Sequence, residues 1–289
     1  MKRQWRSPAA DGQEDVREFS SLRASELGRF AHLQYRRSSE ERRAGTGSPD
    51  VYDQLAHLAE REDWDGPGPR YPQEMGVLKQ YLSDTFQQAL HEGKVFLSTD
   101  ERLSVFNSGL ATPRQEAIYG LFTPNRVSGQ QPWYLRGWRP ESNQQLLWAF
   151  PELPGAVGFS DPAHYNFDRR LRLEANTQFL AEHQPRQFPV PLRNDPCGLE
   201  MRLSAEVARA HEAARTHCSV PVPAWHAARQ EVQLLLPLCL VSPDRPDAAL
   251  ALSRAGDHYQ AISVLPLQTA YCCARLLGRP AASWLNGTL

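Results

Sequence analysis

The sequence predicts an α+β fold: N-terminal helices and a winged-helix-like hairpin, then an antiparallel or mixed β-sheet flanked by helices. Three observations carry that expectation. Apolar residues recur at helical spacing between residues 53 and 93. Short runs rich in aromatic and aliphatic residues, punctuated by Pro, Gly and Asn, fill the middle. The C-terminal third alternates long apolar runs with turns and ends in a helical pattern. At 289 residues the chain is long enough for one large domain or two ordinary ones, and 41% hydrophobic against 22% charged residues is the balance of a globular protein.

Residues 1–50 are rich in Arg, Glu, Ser and Gly and poor in aliphatics. Such a segment buries too little apolar surface to offset the entropy of ordering, so it is expected to be a flexible or partly helical tail. Phe19, Leu22, Leu27 and Phe30 are spaced for one amphipathic helix across 16–34. Residues 51–289 are expected to form a single α+β domain, with a helical and hairpin part over 51–110 and a sheet core with a C-terminal helix over 111–289.

In YDQLAHLAEREDW, Leu55, Leu58 and Ala59 lie at helical spacing, and GPGPRYP stops the helix. VLKQYLSDTFQQALHEG places Leu78, Tyr81, Leu82, Thr85, Phe86 and Leu90 on one face, with Gly93 where a C-terminal cap belongs. KVFLS and RLSVFN around TDE predict a hairpin. AIYGLFTPN, PWYLRGWRP and QLLWAF are expected as strands. Helices are expected from Leu173 to His183 and from Leu199 to His217, the second with Leu203, Val207, Ala210 and Ala214 on one stripe. EVQLLLPLCLV is apolar on both faces, which predicts a strand covered on both sides. Pro237 cannot donate to a ladder, so one edge is free there or a bulge occurs. AALALSR, YQAISVLPL and the helix QTAYCCARLLG follow.

With a net charge of −1, no global field draws the chain to nucleic acid or an anionic membrane. No apolar run reaches the roughly 18–20 residues of a spanning helix, and the basic start MKRQWRSPAADGQED has no apolar segment after it. Cytoplasmic residence and no membrane partner are expected. Cys197, Cys218, Cys239, Cys272 and Cys273 are odd in number and show no repeated spacing, which argues against a disulfide framework.

The blocks EVQLLLPLCL, PDAALALSR and YQAISVLPLQTAYCCARLLGRPAASWL resemble the end of an uncharacterised bacterial and fungal family, domain of unknown function 3825. LKQYLSDTFQQALHEGKVFLSTDERLSVFNSGL, EAIYGLFTPN and QPWYLRGW match the same family upstream, so the resemblance spans roughly residues 52–286. It implies an RNA-related setting, because some members are linked to helix-turn-helix or nuclease modules. The pattern keeps Asp247, Tyr271, Arg275, Arg279 and Trp284 but departs at Gln268, Cys273 and Ala281. Those three are either changes of chemistry or changes of cap and turn residues.

Five constellations are candidates for function. From Arg114 to Arg139, Arg114, Arg126, Arg136 and Arg139 interleave with Tyr119, Phe122, Trp133, Tyr134 and Trp138. Strict alternation puts Tyr134, Arg136 and Trp138 on one face. That face is either a platform for stacked bases and phosphates or part of the core with arginines at its rim. VFNSGL and FTPN, with Asn107, Gly109 and Asn125, are expected as turns. Asp161, His164 and Asp168 are spaced for a metal cluster or an oriented His on a helix, and for a surface loop otherwise. Cys197, His211, His217, Cys218 and His226 match no zinc spacing, and no metal site is expected. Tyr271 and Arg275, at i and i+4, can hold a carboxylate or phosphate or pack on each other.

The sequence contains no Walker A loop, GxGxxG, HExxH or GxSxG, so catalytic residues and cofactor stay unassigned. The leading expectation is an RNA- or nucleotide-binding or processing protein. Tyr119, Arg126, Arg136, Trp138, Tyr271 and Arg275 are its ligand-binding residues, and single-stranded RNA or a nucleotide-like molecule its partner. Two alternatives stand beside it: a stand-alone small-molecule enzyme of a specialised pathway, and a scaffold protein with a protein partner at the N-terminal tail.

Overall fold

The computed structural model describes residues 25–33, 50–66, 75–127, 130–159 and 164–286. They fall into two compact units. One takes in the described residues up to Trp64 and Leu78–Gly158; the other takes in those of Asp65–Val77 and from Phe159 onward. Each is built on a five-stranded sheet, and the whole is α+β as expected.

In the first unit, helix α1 (Glu26–Phe30) starts at Ser25, whose hydroxyl accepts the Gly28 N–H, and passes directly into strand β1 (Ala31–His32). The helix expected across 16–34 therefore ends early, because Ala31 is already extended; its beginning lies outside the described residues. The rest of the expected tail, residues 34–49, also lies outside them.

Helix α2 (Val51–Leu58) is capped by Asp50 through the Tyr52 N–H at 2.9 Å, and α3 spans Gly76–His91. The expected hairpin follows as β2 (Phe96–Leu97) and β3 (Ser104–Ala111), with Phe96 opposite Val105. β4 (Ala117–Pro124) and β5 (Trp133–Pro140) complete a sheet ordered β1-β5-β4-β3-β2, parallel only between β1 and β5. Asn107 and Gly109 belong to β3 rather than to a turn: the β3–β4 register shifts there, and Gly109 has φ +73°. A Cβ at Gly109 would stand 2.4 Å from the Tyr81 hydroxyl, so only glycine fits.

QLLWAF is a correction. It forms helix α4 (Gln144–Ala149), not a strand, because the Asn143 side chain accepts the Gln145 and Leu146 N–H groups and caps a helical turn.

Both faces of this sheet are covered. On one face Phe106, Phe122, Trp133 and Trp138 meet Phe30 and Phe86, with ring centroids 5.0–6.3 Å apart in mostly tilted or edge contacts. On the other face Val105, Tyr119 and Leu121 cluster with Leu146 and Phe150.

The second unit holds β6 (Arg172–Glu174), helix α5 (Thr177–His183), helix α6 (Pro196–Thr216), β7 (Val222–His226), β8 (Glu231–Leu238), β9 (Ala248–Ala255), β10 (His258–Pro266), helix α7 (Leu267–Arg275) and helix α8 (Ser283–Asn286). Its sheet runs β6-β10-β9-β8-β7, parallel only between β6 and β10. The first four residues of the helix expected at 173–183 are corrected: β6 ends at Glu174, and Asn176 then caps α5, which begins at Thr177, by accepting the Phe179 N–H.

The α6 stripe of Leu203, Val207, Ala210 and Ala214 packs against Leu234, Leu236, Leu250 and Leu252. Leu235, Ala249 and Ala251, at intervening positions of the same strands, are also sealed, and α7 packs against β7, β9 and β10. β8 is thus covered on both sides, as its sequence demands. Pro237 sits beyond the last β7 pair, Val222 with Leu235, where β8 has only β9 beside it. Among the described residues no helix is long and apolar enough to cross a membrane.

Candidate functional site

The basic and aromatic stretch lies on β4 and β5. Leu121 pairs with Gly137, but Phe122 pairs with Leu135, so Arg136 is an extra residue in the ladder. This bulge reverses the alternation. Tyr134 keeps the face of its partner Thr123, while Trp138 turns to the face of Leu135 and Gly120. The expected row of Tyr134, Arg136 and Trp138 is therefore corrected. The Trp138 ring is 5% exposed, meets Phe106 edge-on, and donates its indole N–H to the Val51 carbonyl at 2.7 Å. Tyr119 is 4% exposed; burial, reinforced by the nearby Glu141 charge, holds its hydroxyl above the usual phenol range. Trp133 is sealed against Phe30.

What the sheet leaves outside is different. Tyr134 and His32 are both partly exposed and stack across the β1–β5 pair at 5.9 Å and 18°. Arg136, the extra residue of the bulge, is exposed two residues along β5. Arg126, also exposed, follows β4 at the other end, where the Asn125 N–H donates to the Pro132 carbonyl. Among the described residues no ion pair engages Arg126 or Arg136. Neither His32 nor the stack is signalled by sequence, because β1 is only two residues long.

Of the six expected site residues, Tyr119, Arg126, Arg136 and Trp138 belong to the first unit, and Tyr271 and Arg275 to the second. Tyr271 and Arg275 lie on α7, each 8% exposed, with Cys272 buried between them and Cys273 half-buried. Gln268 is in the first turn of α7 and donates to the Asp65 carbonyl at 3.3 Å, holding segment to helix.

The remaining constellations are dispersed. Asp161 lies outside the described residues. Asp168 is taken by Arg170, whose Nε and Nη2 stand 3.0 and 2.9 Å from its two oxygens; that pairing lowers the carboxyl pKa to about 2. His226 accepts the Arg229 N–H, His211 faces the Leu171 carbonyl, and Cys197 and Cys218 are exposed. Among the described residues no three His, Cys, Asp or Glu side chains are grouped to hold a metal.

Two features escaped the sequence. Trp148, 83% exposed on α4, was hidden in a run expected to be a strand. A shallow recess of about 10 Å³, room for about one water molecule, is lined by His164, Asn166, Val232, Leu234, Leu252, Arg254 and Tyr259 in the second unit. Its lining comes from segments far apart in the chain, which no local motif connects.

A family model described as a domain of unknown function (DUF3825) matches residues 55–284. Comparison with curated proteins and with solved structures finds no match.

Proposed function

The chain therefore belongs to that family, and we propose that its first unit binds single-stranded RNA beside the β1–β5 pair. The observation that supports this reading is the stacked His32–Tyr134 pair flanked by the exposed guanidiniums of Arg136 and Arg126. A flat base gains by stacking on a partly exposed aromatic pair, and phosphates gain from cations on either side of it. In this reading Trp138 and Tyr119 are positioning residues. Trp138 ties β5 to α2, and Tyr119 supports the opposite face, so neither touches the ligand.

The test is anisotropy of a labelled short single-stranded RNA titrated with the whole chain across a salt series. Affinity is expected to fall with salt, by about 0.7 in log K per log salt for each phosphate contact. Arg126→Gln with Arg136→Gln is expected to flatten that slope by about 1.4, two contacts' worth. Absence of binding at low salt, or a slope that survives both substitutions, refutes the proposal.

A further inference from the structure

The bulge in β5 brings a further cation to the stacked aromatic pair. Tyr119, Leu121 and Thr123 alternate along β4 and share one face of the sheet. Their partners on β5 are Arg139, Gly137 and Tyr134, and residues paired across a ladder point the same way. Strict alternation would put Tyr134 and Arg139 on opposite faces, because the interval between them is odd. The extra residue Arg136 cancels one step and returns Arg139 to the face of Tyr134. That face therefore carries, in a row, an aromatic ring, a bare stretch of backbone and a guanidinium.

Gly137 lets the guanidinium lean back toward the ring. Arg139 Nη1 lies 3.1 Å from where a Gly137 Cβ would stand, so the group lies over Gly137 instead of reaching away from it. Gly137 has φ +137°, which residues with a side chain rarely adopt. The same Nη1 donates to the Trp138 carbonyl at 2.9 Å and so is held in place. The Gly137 and Tyr134 levels of the ladder are set by Leu121 and Thr123, two residues apart on β4, or roughly 7 Å at ~3.4 Å per residue. Arg139 is half-exposed, and among the described residues no ion pair engages it. Only one of its donors is used by the Trp138 carbonyl, which leaves others for an anion. A cation tethered by its own strand beside a stacking surface is pre-organised for the phosphate attached to a stacked base.

We propose, resting on the RNA reading, that Arg139 holds the phosphate of the nucleotide whose base stacks on His32 and Tyr134, Gly137 providing the room for its guanidinium. This contact adds to those of Arg126 and Arg136. The experiment is a salt-series titration of a labelled short oligouridylate into the whole chain, Arg139→Gln, Arg139→Lys and the Arg126→Gln, Arg136→Gln double variant. Arg139→Gln is expected to make the fall of log K with log salt shallower by about 0.7, one contact's worth. Arg139→Lys keeps the charge without the planar fork, so it is expected to retain the slope and bind several-fold more weakly. An unchanged slope in Arg139→Gln, beside a flattened one in the double variant, ends the Arg139 assignment and leaves the RNA reading standing. A slope as shallow in Arg139→Lys as in Arg139→Gln also ends it, because the lost bond to the Trp138 carbonyl rather than the lost charge is then the cause. No binding by the unaltered chain removes the RNA reading and this contact with it.

Discussion

Gly120→Ala is the sharpest probe of how the first sheet is closed. Gly120 pairs with Phe106 on β3 and with Trp138 on β5, and all three side-chain positions face the aromatic core. A Cβ there would stand 2.5 Å from Phe106 Cε1 and 3.0 Å from both Phe106 Cδ1 and Trp138 Cζ3. Neither ring can retreat into water: Phe106 is 0% and Trp138 5% exposed, and Phe106 is already held by Phe86 and Phe122. Overpacking of this kind costs about 1–3 kcal/mol, offset by about 0.4–1 kcal/mol from the smaller entropy of the unfolded alanine chain. The net loss is expected to be about 0–2.6 kcal/mol, and about 1–3 kcal/mol relative to an alanine that gains the same entropy without a clash, with a melting temperature lowered by roughly 2–4 °C per kcal/mol. Gly155→Ala is the matched control, because a Cβ at Gly155 meets nothing within 4 Å. Urea unfolding followed by near-ultraviolet circular dichroism compares the two. Equal stability of Gly120→Ala and Gly155→Ala would refute the packing argument.

Other perturbations address single interactions. Trp138→Phe removes the indole N–H that bonds the Val51 carbonyl, which keeps its helical partner in α2; losing this one bond is expected to cost about 0.5–1.5 kcal/mol in urea unfolding, and no loss would deny the bond a structural role. Asp168 has its pKa depressed from an ordinary 3.8 to about 2, so its stabilising contribution is present above the unfolded value and lost as pH falls through about 2. Asp168→Asn is therefore expected to flatten the decline in melting temperature between about pH 4 and 2 at low salt, and an unchanged decline in the variant would contradict this.

Much of the architecture was legible because the relevant residues obey a local period. The α6 stripe, the β2–β3 hairpin and the two-sided β8 follow from spacing alone. The failures are equally local. Six apolar-rich residues, QLLWAF, carry no period that separates strand from helix, and the deciding group was the cap Asn143, one residue outside the run. At β6 and α5 the same role falls to Asn176. Trp138 was misplaced because alternation was counted through Arg136, and a bulge shows itself only in the pairing of two strands. The Arg254–Tyr259 recess depends on register between β9 and β10 and on a loop folded over them, so it is a tertiary fact with no sequence signature.

The lengths of the outermost strands bear on how the protein behaves at high concentration. β1 and β2, which border the first sheet, have two residues each, and β6 on the second has three. So few free amide and carbonyl groups give another chain little to add onto laterally. The fourth border, β7, is five residues long but carries Pro223, which lacks an N–H to offer a newcomer. Each border strand is thus short or interrupted by proline, whereas past its two pairs with β1 the flank of β5 from Leu135 to Pro140 has no strand beside it among the described residues.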